Sequence, residues 1–239
     1  MNITFTKNKD TFYLLQKSNT NVYVKFEKAI LLVRKCTISP SVLLAHSLAL
    51  EKATAKFPIK RVLVNTYTIA SNLASQIIPS INTGPLPTRV VIGFVDSESF
   101  NGNYEKNPFN FHHFNINKLS LTVDSKEVTY YQGLTFDLEN NEYIRGYNTL
   151  FEGIDKPVFT NGNFISRADY PNGYALFAYD LSPDLCSGDH FNVLRKGNLA
   201  IEVNFEKSLT KPITVVVLTE YDNMIEINSQ RQLFMDYKQ

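Results

Sequence analysis

Four histidines, two cysteines and a cluster of aspartates are the residues of this chain whose types could do chemistry. His46 lies in a leucine-rich stretch and reads as a packed or surface imidazole. His112 and His113 are neighbours beside a strand start, so on a strand they face opposite ways and make poor joint ligands. Cys186 and His190 are separated by three residues, within Asp180-Leu181-Ser182-Pro183-Asp184-Leu185-Cys186-Ser187-Gly188-Asp189-His190. Zinc wants four ligands, and no second Cys or His pair accompanies these two. Asp180, Asp184 and Asp189 offer oxygens to calcium, but at a spacing that fits no known calcium loop. The segment reads as a solvated polar loop. No Gly-x-Ser-x-Gly, His-Glu-x-x-His, Gly-x-Gly-x-x-Gly or phosphate-binding Gly-Lys-Ser/Thr motif occurs. Asp96 and Glu98 read as an ordinary loop start. An enzyme would bring nucleophile, base and stabiliser together. The sequence shows no such convergence, so no catalytic, cofactor-binding or metal-ligating residue is assigned.

The elements that would position any site are mostly strands. Ten Gly, ten Pro and three Asn-Gly pairs, at 101–102, 161–162 and 172–173, punctuate the chain at short intervals. Val22, Val24 and Phe26 alternate with Tyr23, Lys25 and Glu27, predicting a strand over 22–33. Further strands are expected over 61–67, 89–95, 174–179, 199–205, 213–218, 224–227 and 232–235. Gly93 marks a bulge or a close approach within its strand. In 114–123, Phe114 and Ile116 share one phase while Leu119, Leu121 and Val123 share the other. That switch predicts a bulge at Asn117-Lys118. Residues 82–87, Asn-Thr-Gly-Pro-Leu-Pro, read as a loop. Two helices interrupt the strands. Ser39 and Pro40 open one that carries Leu43, Leu44 and Leu48 and fades near Lys56. The other spans about 140–151, with Tyr143, Ile144, Tyr147, Leu150 and Phe151 on one stripe and Gly153 to end it. Together these predict an all-β antiparallel sandwich of jelly-roll type with two short inserted helices, one domain over 1–239.

Composition narrows the function classes. The chain has 239 residues, 44% hydrophobic and 20% charged, enough to bury a core without disulfide or metal staples. No apolar run approaches the ~20 residues a membrane helix needs. The N-terminal residues lack a signal-peptide layout, and two cysteines make no disulfide framework, so a reduced intracellular setting is expected. Net charge is +1, but residues 1–60 hold 10 Lys/Arg against 3 Asp/Glu, and residues 61–239 hold 14 against 20. A +7 segment facing a −6 remainder fits a nucleic-acid-facing edge, complementary subunit faces, or scattered solvated lysines. The Tyr23-Val24-Lys25-Phe26 pattern could stack on single-stranded nucleic acid, though the same alternation fits a strand with one core face.

Whole phrases carry a resemblance. Arg89-Val90-Val91-Ile92-Gly93-Phe94-Val95-Asp96, then Phe100-Asn101-Gly102 and Asn107-Pro108-Phe109-Asn110-Phe111, resemble the major capsid proteins of Polinton/Maverick elements and adinto-type viruses. The pattern resumes at Phe114-Asn115-Ile116-Asn117, Tyr143-Ile144-Arg145-Gly146-Tyr147 and Ile165-Ser166-Arg167-Ala168-Asp169-Tyr170-Pro171-Asn172-Gly173-Tyr174-Ala175-Leu176. Glu220-Tyr221-Asp222-Asn223, Ser229-Gln230-Arg231-Gln232 and, upstream, Val33-Arg34-Lys35, Ser39-Pro40-Ser41-Val42 and Leu44-Ala45-His46 belong to it too. The resemblance implies a double jelly roll, three chains to a pseudo-hexagonal capsomer and an icosahedral shell. Those proteins are about twice as long, and this chain is similar to their C-terminal half, with residues 1–20 as the lead-in. Expected partners are therefore further copies of the chain, an N-terminal jelly roll and other capsid proteins, with nucleic acid at the basic first 60 residues. No membrane partner and no cofactor is expected, and the location is the virion capsid. The loops around 97–111 and 152–172 are expected at the capsomer top or between subunits. A lectin-like or domesticated binding module on the same fold is the alternative, with the 180–190 loop as its candidate site.

Overall fold

The computed structural model describes residues 3–17, 22–128, 133–137, 140, 142–154, 162–183 and 192–235. They fall into two compact units, Met1–Tyr23 with Val62–Tyr221, and Val24–Arg61 with Asp222–Gln239.

In the first unit, strict alternation in 199–205 builds the central strand of one sheet. Leu199, Ile201, Val203 and Phe205 are buried, while Ala200, Glu202 and Asn204 are half-exposed. This strand, β8 (Lys196–Phe205), lies between β2 (Ser75–Pro85) and β4 (Ile116–Val123), and β4 continues the sheet to β5 (Lys126–Glu127) and β6 (Leu134–Thr135). The other sheet runs β1 (Ala55–Ile69), β9 (Ile213–Ile227), β3 (Arg89–Asp96), β7 (Leu176–Asp180). Successive long strands alternate between the sheets, and β3 pairs antiparallel with both β7 and β9, as β8 does with β2 and β4. This is the jelly-roll wrapping that the sequence predicts. Val90, Ile92, Phe94, Val215 and Val217 from one sheet join Leu121, Leu199, Ile201 and Val203 from the other in a single core cluster. Each such side chain contributes roughly 1.5–3 kcal/mol on burial.

Two details of the strand chemistry follow the sequence closely. Ile116 pairs with Phe205 and Lys118 with Asn204, leaving Asn117 as the extra residue of a bulge. The bulge keeps Ile116 and Leu119 on the buried face, and the Asn117 carbonyl accepts the Phe136 N–H at 2.9 Å. Register across β3 is unbroken from Arg89↔Glu220 to Asp96↔Ile213, so Gly93 marks a close approach rather than a bulge. A Cβ there would sit 2.7 Å from both Leu176 Cδ2 and Phe111 Cδ1.

Other expectations are corrected. Residues 82–85 are not loop but the end of β2, pairing with 196–199 after a register shift between Ile78 and Asn82. Pro85 is tolerated because β2 is the edge strand of its sheet, with β8 on one side only among the described residues. The two strands expected over 213–218 and 224–227 are one continuous β9. The strand expected over 22–33 does not form: those residues belong to no ladder and are exposed. Alternation marks two faces, but a strand also needs a neighbour to take its backbone hydrogen bonds. The second predicted helix is shorter, α4 (Ile144–Glu152), and two brief helices were not anticipated, α1 (Asp10–Tyr13) and α3 (Ser97–Asn101).

In the second unit, residues 24–39 carry no regular element and lead into α2 (Pro40–Lys52). Pro40 starts this helix as predicted, but the Ser39 hydroxyl contacts Ser41 Oγ at 3.0 Å instead of capping. No residue of α2 is buried. Residues 225–227 of β9 pair with β10 (Leu233–Met235), and Glu226 accepts from Thr54 Oγ1 at 2.7 Å.

Candidate association surfaces

The chemistry-bearing residues do not converge where the structure describes them. His46 is exposed on α2. His113 is half-buried, and burial, with His112 beside it, pushes its imidazole below the ordinary value. Its Nδ1 accepts the Asn115 N–H at 3.0 Å, so it braces the turn into β4. His112 lies edge-on to Phe114 at 5.7 Å. Asp180 ends β7 buried, accepting from the Ser182 N–H at 2.8 Å and Oγ at 2.5 Å. Cys186, His190, Asp184 and Asp189 lie outside the described residues, as does Asn161. Among the described residues, no group of three or more His, Cys, Asp or Glu is placed to hold a metal ion. No helix among them is long and apolar enough to cross a membrane.

Asp96 and Glu98 are not the ordinary loop start that the sequence suggests: Asp96 closes β3 and caps α3, and the two carboxylates belong to a polar cluster that shapes residues 97–111. Asp96 accepts the Glu98 N–H at 2.9 Å and Lys106 Nζ at 2.8 Å, and Lys106 also binds Glu98, which takes Asn103 Nδ2 at 2.7 Å. Burial pushes the Asp96 carboxyl up, but the Lys106 hydrogen bond and the Glu98 amide more than reverse this and hold it low. Lys106 likewise holds Glu98 low, and the two carboxylates, Asp96 first, raise Lys106. Partners 8 and 10 positions apart, one on α3, one at the end of β3 and one beyond them, leave no periodic signal.

Against this loop lies α1. Phe12 meets Phe100 at 6.5 Å and Phe109 at 5.7 Å, both edge-on, and the Gln16 N–H donates to the Tyr104 carbonyl at 2.9 Å. Residues 15–17 and 104–105 line an open hollow of about 630 Å³. Pro108 is buried, whereas Phe109 is 63% exposed. Of the two, only Phe109 offers a surface to another molecule.

The segment 162–175 is held by tyrosines of α4 and its flank. Tyr143 OH donates to the Arg167 carbonyl at 3.2 Å and Tyr147 OH to the Ile165 carbonyl at 2.8 Å. Tyr170, fully buried, donates to the Leu176 carbonyl at 3.1 Å and packs on Tyr143, Tyr147 and Phe177. Burial raises its phenol well above the ordinary value. Gly146 gives this cluster room, since a Cβ there would lie 2.6 Å from Phe136 Cε1. These aromatics are core. Phe164, 93% exposed, and Tyr174, 50% exposed, are large side chains that project from the segment.

The uncovered apolar surface lies elsewhere. In the second unit, Phe26, Ile30, Leu32, Leu44 and Leu48 are exposed. In the first unit, β1 ends its sheet with Val62, Leu63 and Val64 exposed in succession. Long apolar edge strands are templates for pairing with another chain.

No known protein-family model matches the chain. Among curated proteins it is similar to the uncharacterized protein F54H12.2 of Caenorhabditis elegans, at 24% identity over 191 residues. That match covers 78% of this chain and 45% of the relative, so the chain spans less than half of the relative's length. Among solved structures it is similar to VP54 of PBCV-1, with a TM-score of 0.49 and 8% identity over 79% of this chain and 52% of that one. A chain in the Sputnik virophage structure gives a TM-score of 0.46 and 16% identity, covering 77% of this chain and 39% of that one. The mavirus major capsid protein gives 0.39 and 12%, covering 77% and 41%.

Proposed function

We propose that the chain is a structural capsid protein, a jelly roll that self-associates into capsomers of an icosahedral shell and performs no catalysis. Fold alone does not assign function, since jelly rolls also serve as binding modules. The observation that carries the reading is where the capsid-like phrases fall on this fold. Arg89–Asp96 is β3, which lies between β7 and β9 in its sheet. Tyr143 to Tyr147 opens α4, and residues 165–176 are the segment that the α4 tyrosines tie down ahead of β7. Phrases that resemble one family thus occupy the frame of a jelly roll in order, not scattered surface. On this reading the chain corresponds to the C-terminal half of a double jelly-roll protein of the Polinton/Maverick and adinto type. Its partners are copies of itself, a preceding jelly roll and other shell components. Its place is the virion, with the basic first 60 residues as the candidate genome-facing segment.

A shell protein works through large complementary surfaces. Light scattering of the purified chain across protein concentration tests this directly. A trimer or larger closed species supports shell building. A monomer at every concentration overturns self-association.

A further inference from the structure

We infer that residues 3–17 are a strap, docked on residues 98–109 and released by acid while the jelly roll stays folded. The inference is independent of the self-association reading. Three contacts seat the strap. Phe12 packs edge-on against Phe100 at 6.5 Å and Phe109 at 5.7 Å. Thr11 fills the space that Gly102 leaves, since a Cβ there would collide with its Oγ1. The Gln16 N–H donates to the Tyr104 carbonyl at 2.9 Å. Among the described residues this is the one backbone hydrogen bond from 3–17 to the rest of the chain. The seat is shallow. No residue of 3–17 is buried, and Gln16 Oε1 is shut off from solvent with no hydrogen-bond partner among the described residues. A segment with so few buried contacts opens well before the domain unfolds.

The Asp96–Glu98–Lys106 cluster shapes that seat. Phe100, Gly102 and Tyr104 all fall between Glu98 and Lys106. Beyond α3, backbone hydrogen bonds within 98–106 span three residues, from the Gly102 N–H to the Ser99 carbonyl and from the Lys106 N–H to the Asn103 carbonyl, each at 3.2 Å. Side chains tie the far end to the start: Lys106 Nζ to Asp96 and Glu98, and Asn103 Nδ2 to Glu98. Asp96 faces Lys106, Glu98 and, from the segment before β9, Lys211. Glu98 faces Lys106 and Asp96. On the strap itself, Asp10 pairs with Lys7 at 2.7 Å and accepts from Tyr13. The Lys7 bond first, and Tyr13 after it, hold the Asp10 carboxyl below its ordinary value. Asp96 and Glu98 are held low too. The ties are therefore complete above the ordinary carboxylate range and fail as pH falls through the lowered values. Acid acts on the seat and on the strap together.

The test is amide exchange of the full chain by NMR, corrected for intrinsic rates, at about pH 6 and about pH 3, either side of the carboxylate range. Protection of the Gln16 amide should fall by roughly tenfold or more while the β8 amides keep theirs. Lys106→Met removes the cation of the cluster, so its Gln16 amide should be open already at the higher pH and show no acid step. Gly102→Ala displaces Thr11 without touching a carboxylate and should free Gln16 at both pH values. Circular dichroism checks that each variant folds. Gln16 protection that persists into acid overturns the inference, as does its loss in one step with β8. An acid step in Lys106→Met as large as the parent's overturns the role of the cluster, and a Gly102→Ala chain that keeps Gln16 protected overturns the seat. The readout is local, so a monomeric chain tests the strap as well as an assembled one.

Discussion

Gly93→Ala probes whether the β3 phrase is built around a close approach. The added Cβ would lie 2.7 Å from Leu176 Cδ2 and 2.7 Å from Phe111 Cδ1, where carbon pairs prefer about 3.5–4.0 Å. The backbone has little freedom to retreat, because Gly93 pairs with Leu176 on one side and Val216 on the other. Leu176 Cδ2 is a side-chain end, but Phe111 presents a ring edge, with Cε1 also at 2.9 Å, so relief needs the whole ring to shift and costs packing on the core. Overpacking of this kind costs about 1–3 kcal/mol. Removing a strand glycine returns about 0.5–1 kcal/mol of chain entropy. The difference of the two central values is a net loss of about 1 kcal/mol. Urea unfolding should show it as a lower midpoint with an unchanged slope. Phe111→Leu removes ring atoms at the clash, so the double variant should be more stable than the two single effects predict. A Gly93→Ala chain as stable as the parent, or strictly additive effects with Phe111→Leu, would refute the argument.

Ile201→Ala should cost about 2–5 kcal/mol, because Ile201 is fully buried opposite Ile78 and Leu121 at the centre of its sheet; a denaturation midpoint near the parent's would contradict the core assignment. Tyr170→Phe should cost about 1–2 kcal/mol through the lost hydrogen bond to the Leu176 carbonyl, with ring packing kept. Stability equal to the parent would show that bond to be dispensable. Phe109→Ala should leave the melting temperature nearly unchanged yet speed proteolysis within residues 10–16, since Phe109 is an exposed ring against Phe12; an unchanged cleavage rate would mean that α1 is held by other contacts. Asp96 and Glu98 are both held below their ordinary values, so the folded state binds their protons less readily than the unfolded chain. The stability they confer is complete above the ordinary carboxylate range and is lost as pH falls through the lowered folded-state values. Lys106→Met should flatten that acid limb, and an acid limb of unchanged slope would remove the cluster from the account.

Much of the frame was legible before any coordinates, where local pattern and final packing agree. Residues 199–205 alternate because one face is core, and the phase change at Asn117 is visible because a bulge must flip the apolar face. Pro40 could be read because its ring fits the first turn of a helix and the interior of none. The Asp96–Glu98–Lys106 cluster was not legible, since ion pairing between the end of a strand, a short helix and the residues beyond them follows no period. Nor was the role of the tyrosines at 143, 147 and 170. The helical stripe puts Tyr143 and Tyr147 on the core side, but their hydrogen bonds to the Arg167 and Ile165 carbonyls and the burial of Tyr170 beside them come only from the fold.

By itself, then, the sequence determined the strand-rich class, the bulge, the helix that Pro40 opens and the family-like phrases, because each is written in neighbouring residues; that this helix stops at Lys52, with Lys56 in β1 instead of its last turn, came from the structure. Tertiary structure decided which strands share a sheet, that 82–85 belongs to β2, and that 213–227 is one strand. Those outcomes depend on partners about 75 to 130 residues away. Residues 24–33 show the difference most plainly. Their alternation specifies a strand, yet a ladder is a property of two segments, and this chain describes only one of them.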